Sequence, residues 1–230
     1  MKKVIFAVLV TLSLGRGISY AQQFRAGVIL GPDASDVVGL NPDGSNGFRK
    51  AGFTAGGMVN MNLSPQNSIQ FEILYTEKGS LQSPDSINKF TEYKLNLDYI
   101  EVPIIFRHKF AFGNGKKMVD KLAYELGLSF GELVTVKQEL FYNQSSYPQY
   151  TAVFDNSEFK KTEIALHIGG SYNITENLIF DVRFSNSIVP VIYHNASRSY
   201  FFWYSFNKGD NMVFSFTLRY LFGGANANAK

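Results

Sequence analysis

Hydrophobic and polar positions alternate with a period of two over most of the chain. The clearest run is 213–222, where Phe214, Phe216, Leu218, Tyr220 and Phe222 interleave with Ser215, Thr217 and Arg219. Strict alternation of this kind predicts a strand with one apolar and one polar face. The same pattern recurs upstream. Leu178, Phe180, Val182 and Phe184 alternate with Asp181, Arg183 and Ser185, and Ile164, Leu166, Ile168 and Tyr172 alternate with Glu163, His167 and Gly169. Leu122, Tyr124, Leu126, Leu128 and Phe130 alternate with Glu125, Gly127, Ser129 and Gly131, and Ile69, Phe71, Ile73 and Tyr75 alternate with Gln70, Glu72 and Thr76. Segment 92–109 alternates in two phases, Leu95, Leu97 and Tyr99 on one face and Ile100, Val102, Ile104 and Phe106 on the next. A one-residue slip near Tyr99 and Ile100 suggests a β-bulge. Weaker, Gly-rich segments at 23–31 and 48–61 bring the expected count to eight strands.

The connections alternate in length. Residues 63–67, 111–120 and 175–177 are short, whereas 32–47, 79–91, 139–157 and 190–208 are long. Short turns on one side and long loops on the other suit an antiparallel up-and-down barrel with both termini on the short-turn side.

The apolar faces carry bulky residues, and the opposite faces are small or charged. A soluble two-sheet packing would bury the bulky face and solvate the other. Here the small residues suit the cramped interior of an eight-stranded ring. The charged ones have both signs: Glu72, Asp98, Glu101, Arg107, Glu125, Asp181, Arg183 and Arg219. The expected fold is therefore all-β, an eight-stranded antiparallel transmembrane β-barrel with its oily face toward lipid. Hydrocarbon tolerates no unpaired backbone group, so such a sheet must close. Tyr75, Tyr99, Tyr172, Tyr220 and Phe222 fall near strand ends, where aromatic girdles form.

The amino terminus supplies the destination. Lys2 and Lys3 precede an apolar run over 4–14 and a segment ending Ser19-Tyr20-Ala21. This is the arrangement of a cleavable secretory signal peptide. The expected division is a signal peptide over 1–21, a barrel over 22–222 and a flexible tail over 223–230. The expected location is the outer membrane of a Gram-negative cell.

Composition removes several chemistries. With no Cys, disulfides, thiolate metal sites and a cysteine nucleophile are excluded. The formal charge of +3 includes the leader's Lys2, Lys3 and Arg16; the 22 basic residues less these three leave 19, against 19 acidic. A near-neutral mature chain without a basic run gives no reason to expect nucleic acid. The three histidines, His108, His167 and His194, fall at the inner end, in the lumen and on an outer loop, so no metal or other cofactor is expected. His194 with Asp155 or Ser197 is the one candidate rim constellation, and loop His and Ser are too common to carry a catalytic assignment without geometry. The chain is expected not to be an enzyme.

Within this frame Glu72, Glu101, Arg107, Glu125, Asp181, Arg183 and Arg219 are expected to form a lumen charge network, with Glu101 paired to Arg107, Arg183 or Arg219. Buried charge has to be compensated. Pro103 lacks an N–H and should sit at a bulge or a ladder gap. Tyr200, Phe202 and Trp203 lie in the last outer loop. Two readings of them stand: an exposed contact patch, or the outer aromatic girdle.

The strand Asp98-Tyr99-Ile100-Glu101-Val102-Pro103-Ile104 resembles the Tyr-x-Glu-x-Pro strand of the Bacteroidetes outer-membrane β-barrel proteins grouped with PorT, with Tyr99, Glu101 and Pro103 as its motif residues. The glycine-containing strand 125–131, the segment Arg183-Phe184-Ser185-Asn186-Ser187-Ile188 and the closing aromatic strand extend the likeness over about 23–222. The resemblance implies an outer-membrane barrel, usually without assigned activity. PorT itself is associated with type IX secretion, and no residue here marks that role. Many such barrels end on their terminal aromatic residue, whereas eight residues follow Phe222 here, a tail the assembly machinery would have to tolerate. The expected role is a structural or interaction barrel acting through its outer loops; the alternatives are a narrow pore for small solutes, a component associated with protein secretion of the PorT kind, and, against the expectation of no enzyme, a rim enzyme. Expected partners are outer-membrane lipid, the assembly machinery and a protein bound by the long loops, with the barrel itself monomeric.

Overall fold

The computed structural model describes residues 24–38, 47–83, 91–111, 121–142, 159–192, 198–201, 204–207 and 209–223. The signal peptide expected over 1–21 and the tail beyond Gly223 lie outside them. Ten strands are present among the described residues: β1 (Phe24–Val37), β2 (Lys50–Asn62), β3 (Asn67–Gln82), β4 (Thr91–Lys109), β5 (Leu122–Tyr142), β6 (Thr162–Asn173), β7 (Leu178–Ser187), β8 (Arg198–Phe201), β9 (Tyr204–Asn207) and β10 (Asn211–Leu221). Eight of them close a ring in the order β1, β2, β3, β4, β5, β6, β7, β10 and back to β1. Every pairing in the ring is antiparallel. Closure leaves no open sheet edge, as a lipid environment requires. The remaining two, β8 and β9, pair with each other as a separate hairpin in the last outer connection.

Sidedness follows the alternation. Leu122, Tyr124, Leu126, Leu128 and Phe130 are exposed while Ala123, Glu125 and Ser129 are buried. The same split separates Phe216, Leu218 and Tyr220 from Thr217 and Arg219 on β10. At ~3.3 Å per residue and a tilt of ~40°, five outward residues such as 122–130 give about 20 Å of height, close to the apolar band of such barrels. Small residues are needed inside. A Cβ on Gly127 would strike the carbonyl oxygen of Ile104 and the side chain of Ile105.

Several strands run further outward than the composition suggests. β1 continues to Val37, β3 to Gln82 and β5 to Tyr142, into stretches expected to be loop. Gly79, where a connection was expected to begin, sits in β3 at φ +138°, a conformation glycine adopts without strain.

The bulge is on the neighbouring strand. Inward positions of β4 run without a break through Leu95, Leu97, Tyr99, Glu101, Pro103, Ile105 and Arg107, all buried. The register shift lies on β5, where Thr135 faces Asp98 and Leu133 faces Tyr99, leaving Val134 as the extra residue. What changes at Tyr99 is the environment of the strand. Below this level the outward side is apolar, and above it the inward side is. Two expectations fall with the slip. Asp98 lies on the outer face beside Tyr75 rather than in the lumen. Tyr99 is fully buried in the lumen and is not a girdle residue. Pro103 occupies a gap in the β3–β4 ladder, between the pairs Phe71 with Ile104 and Leu74 with Glu101, where its missing N–H costs nothing.

Candidate functional site

The lumen is filled in tiers. At mid-height three guanidinium groups face three carboxylates contributed by β3, β4, β5, β7 and β10. Arg183 donates from Nη1 to Glu72 Oε2 at 2.9 Å and from Nη2 to Glu72 Oε1 at 3.0 Å, a fork that holds both groups in one plane. Its Nη2 also reaches Glu125 Oε2 at 3.3 Å. Arg219 donates to Glu125 at 2.5 Å, to Asp181 at 2.6 Å and to the amide oxygen of Gln70 at 3.1 Å. Arg107 completes the set with Glu125 at 3.3 Å, Ser171 at 2.9 Å and Asn173 at 2.7 Å. Gln70 donates in turn to Glu72, and Thr217 to Asp181 at 3.2 Å. Arg219, Glu125, Asp181 and Glu72 are at most 1% exposed. Desolvating six charges is costly, and only this degree of mutual pairing offsets it.

A second tier lies nearer the outer side. Lys78 of β3 bridges Glu101 of β4 and Glu163 of β6, at 2.9 Å from the latter, with its ammonium 5.0 Å from the centre of the Tyr99 ring. Asn211 donates to Glu163 at 3.3 Å. Thr54 donates to Asp33 at 2.5 Å and Ser80 to Asp36 at 2.6 Å. His167 bonds Ser129 at 2.7 Å within the lumen. An internal void of about 20 Å³ between the tiers, lined in part by His167, Asp181 and Arg183, has room for about one water.

Above the second tier the lumen turns apolar. Val37, Leu95, Leu97, Tyr99, Phe159 and Val191 form a buried cluster against Tyr93, Leu133, Val136 and Ile192. Phe159 and Val191 lie at the described ends of two outer connections. Lys160 N donates to Val191 O at 2.7 Å, and Val191 N to Gly209 O at 2.8 Å.

Of the expected network, Glu72, Arg107, Glu125, Asp181, Arg183 and Arg219 meet in the mid-height lattice. Glu101 does not join them; its cation is Lys78. Lys78 and Glu163 were legible only as members of alternating runs, Lys78 two positions beyond Thr76 and Glu163 at the start of β6. Lys78 falls between the alternating run that ends at Thr76 and the connection expected from residue 79, so the alternation places it in neither. His108 lies at the inner end, 2.7 Å from Asn67 Oδ1, and His167 lies in the lumen, far from it along the strands. His194, Asp155 and Ser197 lie outside the described residues, as do Phe202 and Trp203, while Tyr200 belongs to β8. No group of three or more acidic or histidine side chains that could hold a metal is found among the described residues.

A closed antiparallel ring with an oily exterior, aromatic clusters such as Phe48, Phe184 and Phe214 at one rim and His108, Phe110 and Tyr124 at the other, and an ion-paired interior defines a transmembrane β-barrel. The model of the outer membrane protein β-barrel domain matches residues 20–193, and the chain belongs to that family. It is an outer-membrane protein. A comparison with curated proteins finds no match. Among solved structures, Neisserial surface protein A is 12% identical, with TM-score 0.41, over 86% of this chain and 96% of that one. Ail, the attachment invasion locus protein of Yersinia pestis, in complex with the heparin analogue sucrose octasulfate, is 11% identical, with TM-score 0.42, over 87% and 99%. OprG from Pseudomonas aeruginosa is 12% identical, with TM-score 0.35, over 87% and 95%.

Proposed function

We propose that the barrel is a closed, non-conducting scaffold that holds its outer connections at the cell surface for contact with a partner protein, and that it has no catalytic role. The observation that carries this is the double obstruction of the lumen: the Arg–carboxylate lattice at mid-height and the apolar cluster above it. A pore for small solutes would need a wetted path through both. An eight-stranded ring already leaves little interior beyond what side chains fill. The long outer connections, with the aromatic segment containing Tyr200, Phe202 and Trp203, are the elements left to make contacts. The Tyr99-x-Glu101-x-Pro103 strand supports a finer grouping with the PorT-like barrels of Bacteroidetes. A part in type IX secretion is the partner class that grouping would suggest.

The test is single-channel recording with the purified barrel in a planar bilayer. The expected result is a quiet membrane. Reproducible unitary steps that scale with protein added would overturn the proposal in favour of a small-solute pore.

A further inference from the structure

At the short-turn end the lumen opens into a cavity of about 480 Å³. In an outer-membrane barrel this end faces the periplasm. Four of the lining side chains are cationic, Arg25, Arg107, Lys109 and Lys121, and Glu176 alone is acidic. Arg107 is already neutralised by the lattice above. Among the described residues the other three meet no carboxylate within ion-pair distance. Arg25 spends its terminal nitrogens on the backbone carbonyls of Glu176 at 3.1 Å and Gly223 at 2.7 Å, and its Nε is buried with no acceptor. Lys121 reaches the carbonyl of Ile174 at 3.4 Å and lies 5.7 Å from the centre of the Tyr172 ring. The charged groups felt by Lys109 are Arg107 and Arg25, both of its own sign.

Carbonyls satisfy the hydrogen-bonding capacity of these groups without cancelling their charge. The mid-height lattice is balanced, three guanidinium groups against three carboxylates, and this mouth adds a concave excess of positive charge below it. Asn60 and Asn62 line one wall, and Ile179 and Leu221 supply an apolar floor. We propose that this vestibule binds a small multivalent phosphate-bearing anion. A guanidinium and two ammonium groups converging on one cavity match an anion of more than one charge. A single carboxylate would leave charge uncompensated, and the volume suits a small molecule rather than a polymer. Two sources carry this chemistry, a soluble phosphate ester and a phospholipid headgroup.

The test uses the whole barrel in uncharged detergent, titrated with inorganic pyrophosphate at low salt by calorimetry. Saturable binding is expected. Lys109→Gln and Lys121→Gln should each weaken it about tenfold, the worth of one charge-assisted hydrogen bond. Lys137→Gln, the same charge change on β5 far from the vestibule, should leave it unchanged. Absence of saturable binding to the wild type, or equal affinity in all three variants, overturns the proposal. Heat-modifiable migration on a gel checks that each variant is folded. Repeating the titration in bilayer discs assigns the source. Affinity preserved in phosphatidylglycerol discs identifies a soluble anion, and affinity lost there but kept in phosphatidylcholine discs identifies the headgroup. Failure here leaves the closed-lumen proposal intact, because conductance is measured separately.

Discussion

The half of β4 within the bilayer and the half above it obey opposite rules. From Ile100 to Arg107 the outward residues are Ile100, Val102, Ile104 and Phe106 and the inward ones include Glu101 and Arg107. From Lys94 to Tyr99 the outward residues are Lys94, Asn96 and Asp98 and the inward ones are Leu95, Leu97 and Tyr99. One unbroken strand thus passes from an inside-out barrel to an ordinary soluble one. The backbone does not change at the crossing; the solvent does. In hydrocarbon the apolar face gains by pointing out and the charges must find one another inside. In water the hydrophobic effect returns the apolar face to the interior. The lower half is held by ion pairing within the lumen and the upper half by an apolar cluster, so the two should fail in different ways.

The largest expected effect breaks the lower half. Arg219→Met keeps most of the volume but leaves Asp181 with only Arg183 Nε, 3.8 Å away, as its remaining ion-pair contact. Removing one partner of a buried ion pair costs about 3–5 kcal/mol. Urea-driven unfolding in lipid vesicles should show a loss of that size. A loss below about 1 kcal/mol, the scale of an exposed pair, would mean that the lattice contributes little and that the lower half is held by its lipid face.

The lower half was nearly all legible in the sequence, and the upper half was not. Period-two alternation with a bulky face and a charged face has one good solution in a membrane, so six of the seven network residues could be placed from segments 69–75, 92–109, 122–130, 178–185 and 213–222. The resemblance at Tyr99, Glu101 and Pro103 pointed to the strand that crosses the boundary without showing where the boundary falls. Above the membrane the inversion of the pattern looks like a shift of phase, which is why a bulge was expected on β4. Deciding between a slip and an inversion needs the partner strand, and there Val134 turns out to be the extra residue. Lys78 was hidden for a related reason. It lies just beyond the run read as a strand, next to Gly79, where a connection was expected and the strand instead continues. The cationic vestibule was hidden altogether, because Arg25, Lys109 and Lys121 are brought together only by ring closure.

The inversion can be tested by making one substitution on each side of the boundary. Leu128 of β5 is 51% exposed near the middle of the apolar band, and Asn96 of β4 occupies an outward position above it. Leu128→Lys should cost about 2–4 kcal/mol, the penalty for a lysine facing lipid near the midplane. Asn96→Lys should change stability by no more than about 0.5 kcal/mol, as surface substitutions in water usually do. Both place the same ammonium on the outward face of neighbouring strands, so their difference isolates the medium from the backbone. The same vesicle unfolding assay reads both. If Asn96→Lys cost as much as Leu128→Lys, the outer part of β4 would lie in lipid. Leu95, Leu97 and Tyr99 would then be the floor of a thicker barrel rather than the core of a soluble cap.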